Sequence, residues 1–228
     1  MKSRPQIRTK AVVLRRTNYG EADRILQFLT PDNGKLSVIA KGVRREKSKL
    51  AGGIELFATC DVTIMPGKGE MGTLTGARLD TFFAQILKEY DRMQFGYESI
   101  KHVAKASEQV SDPAFYELLT TVFASLDDLS IPLDVTVAWF WLQLAILEGL
   151  GLNLATDING MKLVEDQNYA YNHEEGAFSF REGGEFTTEH IKLLRLLSSR
   201  PPIVASKVRG IMPLLNRVRW LAERASAH

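Results

Sequence analysis

The chain has 228 residues, 45% of them hydrophobic and 25% charged, which suits one large or two modest folded domains with real cores. Its single cysteine, Cys60, excludes an intramolecular disulfide and any cysteine-rich zinc site, and it reads as a small buried strand residue rather than a nucleophile. The net charge of +2 hides a segregation: 15 Lys and Arg against 7 Asp and Glu through residue 79, 6 against 19 over 80–191, and 8 against 1 thereafter. Separation of sign on this scale predicts a polyanion-binding surface, and charge alone does not distinguish DNA, RNA and lipid.

The cations Lys2, Arg4, Arg8 and Lys10 precede only the short apolar run "AVVL", so no secretory leader is expected. The first third then reads as strands. "TKAVVLRRT" is β-branched and apolar, "RILQFLT" follows, and the turn "PDNG" at 31–34 leads into "KLSVIA". Beyond a polar loop come "IELFATCDVTIM" and "GTLTGARL", parted by "PGKGEM". Five strands within 80 residues predict a small closed or half-closed barrel; an OB-fold has this count and size, although periodicity does not fix strand order.

At Asp80 the pattern changes, and "DTFFAQILKEYDRMQFGYESIKHVAKASEQ" spaces apolar residues at three and four, as amphipathic helices do. A second helix is predicted after Ser111 or Asp112 as N-cap, with Pro113 at its first position. The run around Trp139 and Trp141 is apolar on all sides and reads as the buried central helix of a bundle, too short for a membrane span. Residues 155–186 are irregular and glycine-containing. A helical tail begins near Thr187, interrupted at "SSRPP" and again at 210–213.

Several chemical motifs fail on inspection. "GKGEMG" at 67–72 spells G-x-G-x-x-G, but a strand-like segment follows it where a dinucleotide fold needs a helix. The histidines His102, His173, His190 and His228 show no metal-ligand spacing, and no nucleophile elbow, zinc-protease helix or P-loop occurs. No catalytic residue, metal or cofactor is expected. The loop at 41–53, "KGVRREKSKLAGG", is another matter, with five cations and three glycines between two apolar strands. Lys41, Arg44, Arg45, Lys47 and Lys49 on a glycine-softened loop suit a phosphate backbone read without sequence preference. Arg15, Arg16, Arg24 and Lys35 extend this surface, and Lys207, Arg209, Arg217 and Arg219 in the tail form a second basic surface.

Residues 19–57 read "YGEADRILQFLTPDNGKLSVIAKGVRREKSKLAGGIELF", and this stretch resembles the N-terminal signature of the RecO family. A Y-G-E-x-D-R-I segment is matched by Tyr19, Gly20, Glu21, Asp23, Arg24 and Ile25. A following K-G-x-R-R-x-K-S loop is matched by Lys41, Gly42, Arg44, Arg45, Lys47 and Ser48, with Gly34 and Lys35 between them. The resemblance implies an α+β protein of two domains: an OB-fold barrel over 1–79 and a mainly helical domain over 80–228. It implies binding of single- and double-stranded DNA, strand annealing, and work with RecR to load RecA onto strands covered by single-strand-binding protein (SSB). It also implies a cytoplasmic, nucleoid-associated, non-catalytic protein without membrane attachment. Many relatives carry a four-cysteine zinc element in the helical domain; here "F-S-x-R-E-G-G" persists at 178–184 but the cysteines do not. A cysteine-free, zinc-finger-like segment at about 155–186 is expected, packed through Phe178, Phe180 and Phe186. The rival readings are a generic OB-fold RNA-binding factor and an enzyme with an unrecognised site in the helical domain.

Overall fold

Strand β1 (Ile7–Tyr19) is shared between two partners. Its first half pairs antiparallel with β4 (Ala58–Met65), from Ile7 opposite Ile64 to Val12 opposite Thr59. Its second half pairs with β2 (Asp23–Thr30), ending with Tyr19 opposite Asp23. A register shift between Val13 and Arg15 lies where the strand passes from one partnership to the other, the place where a bulge adds bend and twist. Strand β3 (Gly34–Ala40) pairs with β2, and β5 (Met71–Phe82) joins β3 in parallel and β4 antiparallel. The order β1-β2-β3-β5-β4 closes on itself and leaves no free sheet edge: a five-stranded OB-fold barrel. The structure, a computed structural model, describes residues 5–225; Lys2, Arg4 and His228 lie outside the described residues.

Alternation of side chains explains the core. Ala11, Val13, Leu26, Phe28, Val38, Ala40, Cys60, Val62, Ile64 and Leu74 form one buried cluster inside the barrel. Val12 and Leu14 are buried too but stand outside that cluster. They lie on the outer face, where helix α1 (Tyr90–Ala106) packs on β1 and α2 (Pro113–Asp127) packs on β2. A strand covered on both faces reads as an unbroken apolar run, which is why "AVVL" does not alternate.

The chain divides into compact units at 1–127 and 128–228, so α1 and α2 belong with the barrel. Residues 80–82, grouped with the helices in the sequence reading, instead complete β5, and a 3-10 turn, Ala84–Lys88, precedes α1. The segment 54–57, grouped with a strand, precedes β4 as an irregular stretch. Its Phe57 has φ +54, a left-handed backbone uncommon outside glycine, and is buried against Tyr97 and Phe123. The Asp112 carboxylate accepts the Ala114 N–H at 2.8 Å ahead of α2, with Pro113 first in the helix. At the other end of α2, the buried Arg92 guanidinium donates to the Leu126 carbonyl at 3.0 Å, placing a cation at the negative helix terminus.

In the second unit α3 (Leu133–Leu147) is apolar nearly all round and packs on α4 (Thr188–Ser199), α5 (Pro202–Ala205) and α6 (Met212–Ala225). Gln143 on α3 donates to the terminal carbonyls of α4, Leu197 at 3.0 Å and Ser198 at 3.1 Å. Between α3 and α4, strands β6 (Tyr169–Asn172) and β7 (Ala177–Phe180) form a small hairpin. Its core is Tyr169, Phe178 and Phe186, with Phe178 and Phe186 edge to face at 5.3 Å. Phe180, expected in that core, is 57% exposed: it stands opposite Tyr169 at the open end of the hairpin, while Phe178, opposite Tyr171, is packed against Phe186. The Asp157 carboxylate accepts the N–H groups of Asn159 and Met161, closing the loop before the hairpin. Among the described residues no helix is long and apolar enough to cross a membrane.

Candidate nucleic-acid interface

The loop between β3 and β4 is less slack than its glycines suggest. At its entry, the Gly42 N–H donates to the Asp23 carboxylate at 2.7 Å, with Gly42 at φ +62. Arg44 N–H donates to the Ala22 carbonyl at 2.9 Å, so the loop lies against the β1–β2 turn. Two tight turns follow, Arg45 N–H to Gly42 and Ser48 N–H to Arg45. Val43 and Ile54 join the barrel core from opposite ends of the loop and close that mouth of the barrel. At the exit Gly53 lies so close to β5 that a Cβ there would sit 2.5 Å from the Ala77 carbonyl carbon.

This anchoring sorts the predicted cations. Lys41, Arg44, Arg45, Lys47 and Lys49 are exposed, and none of them forms a side-chain ion pair among the described residues. Arg44 also reaches the Gly20 carbonyl at 3.4 Å, tying loop and turn a second time. Arg15 is exposed on the barrel's outer side, opposite Gln27. The other three are engaged in structure. Arg16 pairs with Glu55 at 2.9 Å and so fastens the loop's return to β1. Arg24 donates to Asn18 at 3.1 Å across the β1–β2 pair. Lys35 donates to the Ala104 carbonyl at 2.9 Å, near the end of α1, where a cation suits the helix terminus. The loop and the β1–β2 turn are thus brought together, while Arg16, Arg24 and Lys35 hold the frame behind them.

Sequence reasoning missed Asp23, the carboxylate that fixes the loop. Its only visible signal was a place in the Y-G-E-x-D-R-I segment, since its bond partner is 19 residues away. Residues 67–70 lie in the β4–β5 turn, and Met71 and Gly72 already begin β5, in line with a hairpin rather than a dinucleotide loop. Cys60 is buried, its Sγ donates to the Ala11 carbonyl, and burial pushes its pKa up to about 12, leaving a protonated thiol.

In the second unit Lys207 and Arg209 are exposed in the α5–α6 connection. Arg217 is exposed on α6, its guanidinium 6.0 Å from the Phe186 ring centroid and 5.8 Å from that of Trp220. Arg219 is occupied instead by Asp134 and Glu223, each at 2.7 Å. Arg224, outside the sequence reading, lies 4.5 Å over Trp220, the residue one helical turn before it. No group of three or more His, Cys, Asp or Glu able to hold a metal occurs among the described residues.

A family model described as "Recombination protein O N terminal" matches residues 1–83, the barrel with its basic loop. The chain is 32% identical over 170 residues to "DNA repair protein RecO" of Dehalococcoides mccartyi strain CBDB1, covering 74% of this chain and 66% of the relative. The protein of the same name from strain BAV1 matches to the same extent. That of strain 195 is 32% identical over 164 residues, 71% of this chain and 64% of the relative. The matched segment thus spans just under two thirds of the length of these relatives. A closed OB barrel with a fastened basic loop, joined to helices and carrying this similarity, means that the chain belongs to the RecO family.

Proposed function

We propose that this protein is a recombination mediator in DNA repair. It binds single- and double-stranded DNA, anneals complementary strands and, with RecR, helps load RecA onto DNA covered by SSB. One observation carries the reading most: five exposed cations on a loop tied to the neighbouring turn by backbone and carboxylate hydrogen bonds. Such a loop presents a shaped positive surface without a large ordering cost on binding. The relatives named for DNA repair support the biological setting.

The work is done by binding rather than by bond chemistry. Phosphates are neutralised by Lys41, Arg44, Arg45, Lys47 and Lys49, with Arg15 at the side. Screening two strands at once lowers their mutual repulsion, and the cations Lys207, Arg209 and Arg217 supply a second polyanion-binding surface. About five phosphate contacts by the loop give a slope of log K against log[salt] near −3.5 for a single strand.

The test is annealing of two complementary oligonucleotides coated with SSB, in a salt series. The variant changes Lys41, Arg44, Arg45 and Lys47 to Ala, four exposed positions. Wild-type annealing that is lost in the folded variant, with the binding slope reduced by about 2.8, is the expected result. Annealing that survives in the variant would move the DNA site away from the loop. A wild type that anneals nothing, even with RecR, and prefers structured RNA would replace the mediator reading with an RNA-binding one.

A further inference from the structure

Beside the basic loop, the outer face of the barrel carries an aromatic side chain that phosphate contacts do not use. In register, Tyr19 stands opposite Asp23 and Thr17 opposite Ile25. Ile25 stands opposite Ile39, which in turn stands opposite Thr73, two residues from Met71. Leu26, Val38 and Leu74 belong to the barrel core, so alternation places Ile25, Ile39 and Met71 on the outside. Helices α1 and α2 pack on this unit elsewhere, over β1 and β2, and leave Tyr19 55% and Met71 43% exposed. Ile25 and Ile39 are half-buried.

The strip therefore offers one aromatic and three apolar side chains, with Arg15 on the same outer side and Lys41 directly after β3. That combination suits one polymer. A single strand whose phosphates are held by cations has unpaired bases free to turn toward the sheet, and every base has a face that stacks on an aromatic ring. A duplex keeps its base faces inside. The charge of the loop and its attachment to the β1–β2 turn, where Tyr19 ends β1, make the strip continuous with the phosphate-binding surface.

We propose that Tyr19 stacks on an unpaired base of a single strand crossing β2 and β3, and that this contact sets the preference for single over double strands. This rests on the nucleic-acid reading of the basic loop. The test compares wild type, Tyr19→Ala and Tyr19→Phe by fluorescence anisotropy. The probes are a labelled oligothymidylate, an abasic oligonucleotide of equal length and a duplex.

For Tyr19→Ala, binding of oligothymidylate is expected to weaken roughly five- to hundred-fold, with an unchanged salt slope. Its duplex and abasic binding stay as in wild type, and Tyr19→Phe binds oligothymidylate within about twofold of wild type. The proposal is overturned if Tyr19→Ala binds oligothymidylate as wild type does, or loses the same factor on the abasic probe. In either case wild-type binding with its steep salt slope leaves the phosphate reading standing. A wild type that binds none of the three probes overturns both.

Discussion

Asp23 is the residue on which the order of the basic loop most depends. Its carboxylate accepts the Gly42 N–H at 2.7 Å and is half-buried. A hydrogen bond to a charged group contributes about 1.5–3 kcal/mol, and partial access of water places this one near 1.5 kcal/mol. Asp23→Ala removes it without touching a loop cation. The entry to the loop then opens more often, by about tenfold for about 1.4 kcal/mol. The loop carries five trypsin sites, Lys41, Arg44, Arg45, Lys47 and Lys49, so limited trypsin digestion under native conditions reads the change directly. While reclosing outpaces cleavage, the rate follows the open population and rises about tenfold. Asp23→Asn keeps a neutral acceptor and should show a smaller rise, about threefold. Mass analysis of the first cut must place it within residues 41–49. First cuts elsewhere, or Asp23→Ala cleaved within twofold of wild type, would refute the anchoring role.

Two further predictions test the packing and the electrostatics. Gly53→Ala sets a methyl 2.5 Å from the Ala77 carbonyl carbon, against backbone that cannot swing away, and should destabilise by about 1–3 kcal/mol. Gly52→Ala meets nothing within 4 Å and should be neutral or slightly stabilising, so equal melting of the two variants would contradict the close approach. His190 accepts the Thr187 N–H through Nδ1 at 3.1 Å, an arrangement that needs the neutral ring. Burial first, and then the Arg217 charge, lower its pKa below the usual histidine value. Between that lowered pKa and about 6.5, the unfolded chain binds more protons than the folded one, so acidification through this window costs stability. His190→Gln keeps an acceptor at the third helical position and should flatten the melting profile of this unit between pH 7 and 5; a profile as steep as wild type would contradict the assignment.

Which parts of this were legible in the chain follows from the range of each interaction. The apolar runs of β1, β2 and β3, the "PDNG" turn and the cap at Asp112 are local, and each lies where the sequence reading put it. The end of β5 was misread because Phe82 stands four residues before Ile86 and Phe83 four before Leu87, whereas Thr81 and Phe82 are held as strand by pairing with Thr59 and Ala58. Phe180 was misassigned because three phenylalanines near one another look alike in sequence; only the fold packs Phe186 against Phe178 and leaves Phe180, at the hairpin's end, exposed. Arg219 looked like its basic neighbours on α6; its partner Glu223, one turn on, is local, whereas its meeting with Asp134, 85 residues away, is made only by the fold.

By itself the sequence determined the composition of the candidate surface: five loop cations, the glycines that permit their turns, and the strands on either side. Charge and backbone propensity belong to each residue and its near neighbours, so they are readable in one dimension. The tertiary structure alone decided which cations are available and which are fasteners, and how the barrel closes through β3 beside β5. Those outcomes depend on hydrogen bonds, ion pairs and close packing between distant segments. Such contacts act over a few ångströms, and only folding brings Asp23 to Gly42, Arg16 to Glu55 and Gly53 to Ala77.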